Sequence, residues 1–422
     1  DISVIDSNEK LLRSLSNDVD VLTIHGSCTS ISVLQEADIK NTDLFIAVTL
    51  VEEVNTMAAI LAKKLGARKT IARIDDMEYL IPKNKPYLLS LGIDKMIYPE
   101  YITAKEVIGL VKQTGTSEIF EFSGGKLSLF VVRLDENAPV INKTLQEAVN
   151  IVKTKDYRLM AIARDDKIFI PKADYKFLSD DLIYIITAPS GIKNLLKYAG
   201  KKRLDVSNIM ILGGGRIGKM VAQRLQSHLN VKLIEIDYDK CEVLANDLSK
   251  TLIINGDGRD TDFLVEEGIK NMDAYIAVTG NSEVNILSCV LAKKMGVKKA
   301  IAEVENLDFI DVASQMGIDT IVNKKMSAAS HIYTFTMKAK VSSIKCLTGS
   351  DAEVLEFVVQ QGARITSGNL NEINFPKGAV VGGVVRGEKS FIANGDSLIQ
   401  ARDKVVVFAL PDAIAEVESF FN

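Results

Sequence analysis

Apolar residues in this chain fall in short unbroken runs, each followed by a longer stretch in which they recur every three or four positions. The runs suit strands buried on both faces, and the stretches suit amphipathic helices. In the second half, "NIMILG" predicts a strand and Arg216–His228 an amphipathic helix. "VKLIEI" predicts a strand followed by a helix over Asp239–Leu248, and "TLIING" a strand followed by a helix over Asp262–Gly268. "AYIAVT" predicts a strand, Ser282–Met295 a helix closed by Gly296, "AIAEV" a strand, Leu307–Met316 a helix and "DTIVN" a last strand. This order predicts a parallel sheet with helices on both faces. Lys324–Lys340 then predicts an exit helix into Ser342–Asn422, whose short alternating segments and turns predict a compact β-rich module.

The pattern is written twice. "NTDLFIAVTLVEEVNTMAAILAKKLGARKTIARI" from Asn41 matches "NMDAYIAVTGNSEVNILSCVLAKKMGVKKAIAEV" from Asn271, at a constant shift of 230. Asp43, Thr49, Glu53, Asn55 and Gly66 thereby fall on Asp273, Thr279, Glu283, Asn285 and Gly296. Upstream the shift is 229, which places Asp6 on Glu235. Downstream, "ARDDKIFIPKADYKFLSDDLIYII" resembles "VRGEKSFIANGDSLIQARDKVVVF". The first exit helix is expected at about Glu100–Gln113, and its module runs to about Gly200. "KYAGKKRLDVS" (Lys197–Ser207) reads as a basic linker between the halves. The expected fold class is α/β, with two Rossmann-like domains at 1–114 and 201–340 and small α+β modules at 115–200 and 341–422.

Residue 1 aligns with residue 230, whereas the second copy begins near Ser207, so roughly 20 to 25 residues have no first-half counterpart. They comprise the first strand, the glycine loop and the first helix. A Rossmann sheet without its central strand is expected to fold poorly, because that strand is buried on both faces. The chain also begins with Asp1 inside an apolar segment. The expectation is therefore that the sequence is N-terminally truncated and that the natural protein carries two loops.

The loop that occurs once is "ILGGGRIGKM". Gly213, Gly215 and Gly218 form GxGxxG between strand and helix, with Gly214, Arg216 and Ile217 between them. The first glycine suits a tight turn, the second a close approach of backbone to phosphate, and the third tight helix–strand packing. Glu235, 17 residues beyond Gly218, ends the next strand where a carboxylate can take ribose hydroxyls. Arg216 has two readings, a bidentate phosphate grip or a solvated first-turn side chain. Gly256 and Asp257 stand beside the expected adenine position, although Asp257 reads equally as a helix N-cap. Thr279, Asn281 and Glu283 follow the fourth strand on the ligand-binding rim. Asn281 or Ser282 can equally cap the next helix, and Glu283 can favour its dipole. In the first half Asp6 takes the ribose place, Gly26 and Ser27 stand for Gly256 and Asp257, and Thr49 and Glu53 repeat the rim. Arg73 replaces Glu303, so the two sites have diverged; Arg73 is placed to reach a phosphate or a neighbouring subunit.

Bulk properties narrow the classes. A chain of 422 residues exceeds one ordinary core. A net charge of −4 implies no basic surface for nucleic acid. No apolar run reaches the roughly 18 to 20 residues of a spanning helix. Cys28, Cys241, Cys289 and Cys346 lie far apart without a CxxC, and His25, His228 and His331 have no ligand spacing, so no metal site is expected. A dehydrogenase needs a proton-transfer group beside the nicotinamide; nothing here supplies one, and no catalytic residue is expected. An NAD-dependent oxidoreductase remains the enzyme alternative.

Tandem units of this kind, carried by "ILGGGRIG", "LIEID", "INGDG", "IAVTGNSEVNILSCVLAKKMG" and the closing "VVRGEKSFIANGDSLIQARDKVVVF", resemble RCK (KTN) domains, most nearly those of the TrkA family of Trk-system potassium uptake proteins. The resemblance covers nearly the whole chain and implies TrkA-N domains, each followed by a TrkA-C (RCK_C) module. It implies a cytoplasmic regulatory subunit, peripheral on the inner face of the cell membrane. Such a subunit docks on a membrane potassium transporter of Trk type and assembles as a homo-oligomeric ring, a tetramer. NAD(H) and ATP or ADP are the implied ligands, with Gly213, Gly215 and Gly218 on phosphates, Glu235 on ribose, Asp257 on the adenine side and Arg216 on terminal phosphates. A cytosolic regulator of a cation–proton antiporter, built from the same domain, is the alternative.

Overall fold

The computed structural model describes all residues except 113–117, 153–155, 166, 201–205, 334, 337–339 and 348–351. It divides into two compact units, Asp1–Ile102 and Thr103–Asn422. The first contains β1 (Ser3–Asp6), α1 (Glu9–Asp18), β2 (Leu22–His25), α2 (Ile31–Glu36), β3 (Leu44–Ala47), α3 (Glu52–Leu65), β4 (Lys69–Arg73), α4 (Lys85–Ser90) and β5 (Lys95–Ile97). β1 pairs with β2 and β3–β4–β5 form a second ladder, all parallel, and no ladder joins β1 to β3. Helix α5 (Pro99–Lys112) runs across the division.

The second unit opens with a small antiparallel sheet. Its strands are β6 (Glu118–Phe122), β7 (Leu127–Arg133), β8 (Tyr157–Arg164), β9 (Lys167–Phe169) and β10 (Leu182–Thr187), with helices α6 (Leu145–Val152) and α7 (Ile192–Tyr198) on one face. A Rossmann-like sheet follows: β11 (Asn208–Leu212), α8 (Arg216–Leu225), β12 (Asn230–Glu235), α9 (Tyr238–Asp247), β13 (Thr251–Asn255), α10 (Thr261–Glu266), β14 (Ala274–Ala277), α11 (Ser282–Lys294), β15 (Lys299–Glu303), α12 (Asp308–Gln315) and β16 (Thr320–Val322). Its order is β13–β12–β11–β14–β15–β16, parallel throughout, which puts a switch point between β11 and β14. Helix α13 (Lys324–Tyr333) leads to a second antiparallel sheet of β17 (Val341–Cys346), β18 (Glu353–Val358), β19 (Ala379–Arg386), β20 (Lys389–Ile392) and β21 (Lys404–Ala409), closed by α14 (Ile414–Phe421).

Strand alternation sends each set of side chains to its own layer. Ile209, Ile211, Val231, Leu233 and Ile276 face one side of the parallel sheet, under α8 and α9. Met210, Leu212, Ile234, Tyr275 and Ala277 face the other, under α10, α11 and α12. Helix α8 buries Ile217, Gly218, Val221, Ala222 and Leu225, the stripe its sequence spacing predicts. The first face is completed from outside the repeat: Ala104, Val107, Leu110 and Val111 of α5 belong to the same core.

The two small sheets pack face to face, with Leu127, Leu129 and Met160 of one meeting Val354, Val406 and Phe408 of the other. The repeat extends to ion pairs. Arg164 holds Asp181 and the Lys176 carbonyl, as Arg386 holds Asp403 and the Leu398 carbonyl.

Several expected ends shift. The helix expected to reach His228 stops at Leu225, and the one expected to reach Gly268 stops at Glu266, before the left-handed turn at Gly268 (φ 77°). The helix expected over Lys324–Lys340 ends at Tyr333; residues 334 and 337–339 of that expectation lie outside the described residues, as do Gln113 and the middle of the linker. All four residues of β14 are buried, whereas Ile46 of the equivalent β3 is 38% exposed.

Candidate functional site

The glycines after β11 hold one another in place. Gly213 takes φ 105°, and a Cβ there would meet the Val278 carbonyl oxygen at 2.9 Å. A Cβ on Gly218 would lie 1.9 Å from the Gly213 oxygen, so the turn and the first helical turn close only without side chains. Above Gly215 there is open space, with nothing within 4 Å of an added Cβ. Gly215 is the N-cap of α8 and no side chain caps the helix, whereas Asp237, Asp260 and Asn281 cap α9, α10 and α11. An exposed, uncapped helix start facing open space fits an anion such as a phosphate. Ile217, expected in the loop, directs its side chain into the core, which leaves its backbone alone for a ligand.

Glu235 lies at the end of β12, 7% exposed. Its Oε2 accepts the Gly214 N–H at 2.8 Å and its Oε1 accepts the Asp237 N–H at 3.0 Å. Two amides leave half of the carboxylate's acceptor capacity for hydroxyl donors. At the end of β13, Gly256 packs under Phe263, its N–H donating to the Glu235 carbonyl at 3.0 Å. Asp257 does not cap the next helix; Asp260 does. Instead Arg259 pairs with Asp257 at 2.6 Å, and its guanidinium and amide hold that carboxyl below the usual range.

The rim after β14 is mostly held by its own hydrogen bonds. Buried Asn285 accepts from Thr279 N (3.0 Å) and Thr279 Oγ1 (2.7 Å), and donates to the Thr279 and Glu303 carbonyls at 3.1 and 2.8 Å. Asn281 caps α11 through Val284 N, the capping alternative of the sequence reading, and Ser282 Oγ accepts Glu305 N–H. Glu283 is exposed in the first turn.

The first unit repeats this arrangement. Asn55 accepts from Thr49 N and Oγ1 and donates to the Thr49 and Arg73 carbonyls. Glu53 is exposed, and Glu52 accepts the amides of Asp75 and Asp76. Asp6 accepts the Asn8 N–H, Gly26 packs under Val33, and Ser27 meets Thr29 where Asp257 meets Arg259. Arg73, expected to reach outward, lies between Asp75 (3.4 Å) and Glu100 (3.6 Å) of its own unit. Sequence reading found the recurrent asparagines through their shared shift. It missed Arg259 and Glu52, which have no counterpart of the same type in the other copy, and it named Ser282 only as a possible cap.

Comparison with known proteins places these parts. The TrkA-N domain description matches residues 1–99 and 209–324, and the TrkA-C domain description matches residues 129–200 and 354–422. The chain is 30% identical over 432 residues to Trk system potassium uptake protein TrkA homolog 1 of Methanosarcina mazei, spanning 100% of this chain and 95% of that one. It is 29% identical over 428 residues to the TrkA of Vibrio alginolyticus, spanning 100% and 93%. Among solved structures, the GsuK RCK domain superposes with a TM-score of 0.59 at 15% identity, covering 99% of this chain and 89% of that one. The GsuK channel bound to NAD gives 0.58 at 15% identity, covering 99% and 74%.

Proposed function

The chain belongs to the TrkA family, and from that premise we propose that it is a nucleotide-binding regulatory subunit of a Trk-type potassium uptake transporter. The observation that carries this reading is the uncapped start of α8 under open space at Gly215, with Glu235 beside it. NAD(H), ATP and ADP all present phosphate, ribose and adenine in that order. Gly213 and Gly214 make the turn, their own N–H groups held by the Ile234 carbonyl and by Glu235. The backbone N–H groups from Gly215 to Gly218 hold the phosphates, Glu235 the ribose, and Gly256 with Asp257 the adenine side. Arg216, exposed at the helix start, takes a terminal phosphate. The GsuK channel, which shares the fold, is bound to NAD, and this supports a dinucleotide as ligand. Thr279, Asn281 and Glu283 border the site, and Asp6, Gly26, Ser27, Thr49, Glu53 and Arg73 form its diverged counterpart in the first half.

The four-domain division at 1–114, 115–200, 201–340 and 341–422 is part of the proposal, and the matched TrkA-N and TrkA-C ranges fall inside it. So are binding without catalysis, a homotetrameric ring and a peripheral position on the cytoplasmic face of the membrane. No helix among the described residues is long and apolar enough to cross a membrane itself. A nucleotide acts by favouring whichever arrangement it binds better, and several sites per ring add small differences into a shift that gates the partner.

Titration calorimetry of NADH and of ATP on the full chain tests the reading, with Gly215→Asp as the variant. Binding of either nucleotide that Gly215→Asp abolishes supports it. Binding of neither at millimolar concentration removes the switch from the proposal.

A further inference from the structure

Strand β18 buries two carboxylates, and their surroundings differ. Glu356 accepts from the Ser123 and Ser342 hydroxyls. Glu353 is 9% exposed, and its Oε2 has no hydrogen-bond partner. A buried carboxylate without a partner is costly, so a fold retains one at a stability disadvantage unless something pairs with it. The internal repeat shows that the position does not demand a charge. In the first small module the equivalent ladder place, opposite Thr187, is held by Ser128; in the second, opposite Ala409, it is held by Glu353.

Glu353 lines a cavity of about 360 Å³ whose other wall is α13, through Met326, Ala329, Ser330 and Tyr333. Met326 and Tyr333 are partly exposed at its mouth. We propose that this cavity binds an organic ammonium ion, with Glu353 as counter-charge and α13 as apolar wall. A metal cation needs several oxygen ligands, whereas among the described residues this wall offers a methionine, an alanine, an aromatic ring and a serine whose hydroxyl donates to the Met326 carbonyl. An alkylammonium needs one carboxylate for its head and apolar surface for its stem, and an aromatic face adds to the attraction. A neutral ligand leaves the carboxylate unpaired, and an anion is repelled by Glu353 and by Glu418 of α14.

The acid–base behaviour agrees with this geometry. Burial, reinforced by the Glu418 charge, pushes Glu353 up to about 7. Among the described residues Tyr333 of α13 is the other titratable group in the wall, and β21 presents Ala409 opposite Glu353. The ammonium pairs with the ionised carboxylate, so affinity rises about tenfold between pH 6 and pH 8, and binding near pH 7 releases a proton.

Calorimetric titration of the full chain with n-butylammonium and, separately, with N-acetyl-lysine methylamide provides the test. Saturable n-butylammonium binding is expected, with a heat at pH 7 that varies with the ionisation enthalpy of the buffer. Glu353→Gln is expected to weaken it at least about tenfold, in line with losing a charged partner, and Ala329→Phe to abolish it by filling the cavity. If the lysine derivative binds as well, a side chain of another polypeptide can be the occupant; if only the free amine binds, a small molecule is. Absence of binding of both probes to the unaltered chain at millimolar concentration overturns the proposal. Equal affinity in Ala329→Phe overturns it too, and that variant with the buffer series decides the matter even if Glu353→Gln does not fold.

Discussion

At Gly218 one added methyl group would lie 1.9 Å from the Gly213 carbonyl oxygen, so the glycine is fixed by packing before any ligand is considered. Gly218→Ala is expected to cost about 1–3 kcal/mol of stability, read as a lower denaturant midpoint, together with loss of nucleotide binding. Gly215→Asp, where the space is open, is expected to lose binding with little change in that midpoint. Asn285 makes a parallel case among polar residues. Asn285→Ala strands the Thr279 amide and the Glu303 carbonyl, an expected loss of roughly 2–6 kcal/mol at about 1–3 per unsatisfied group. Thermal melts of Asn285→Ala and Asn285→Asp check this, the aspartate keeping the acceptor and so falling between. In the sequence the glycine spacing and the recurrence of asparagine were both legible. The asparagine's task was not, because it ties the ends of two strands, reaching a carbonyl 18 residues further along the chain, and spacing does not reveal which carbonyl a side chain meets.

Helix α5 displays the same limit one level up. Its apolar period is visible in the sequence, and the helix is found at Pro99–Lys112, close to the expected Glu100–Gln113. What it packs against is not visible, since Ala104, Val107, Leu110 and Val111 complete the sheet of the other repeat. On its polar side Glu106 accepts from Lys345 Nζ at 3.0 Å and Ser327 Oγ at 2.6 Å, joining α5 to α13 and β17. Burial works to raise this carboxyl, but the Lys345 charge and the hydrogen bonds from Ser327 and Lys345 outweigh it and hold it below the usual range. A lowered folded value stabilises the fold above the unfolded carboxyl's pKa, about 4.3, and that stability drains away as pH falls through the folded value. Glu106→Gln is therefore expected to melt below the unaltered chain at pH 7, with the gap closing under acid; melting temperatures from pH 7 to pH 3 measure it.

Across the molecule, the duplication was legible in the sequence and the partnership between its copies was not. The two small sheets face each other, with Lys126 donating to the Gly387 carbonyl and Arg158 to the Ala393 carbonyl across the seam. Met160 and Gly382 occupy the same β-bulge of their respective sheets. A Cβ on Gly382 would lie 2.7 Å from Met160 Cε and from Ile186 Cγ1. Gly382→Leu is expected to destabilise the pair by about 1–3 kcal/mol. Combining Gly382→Ala with Met160→Ala should cost less than the sum of the two, a coupling that a double-mutant cycle reads directly.

That bulge carries a consequence for heredity. Duplicated gene segments tend to be copied over one another, which erases the differences between them. Here such copying would set methionine against methionine, two side chains in the space of one, or glycine against glycine, a hole where a side chain belongs. As long as methionine faces glycine across this seam, each copy needs the other unlike itself, and at this position the two halves of the gene are held apart.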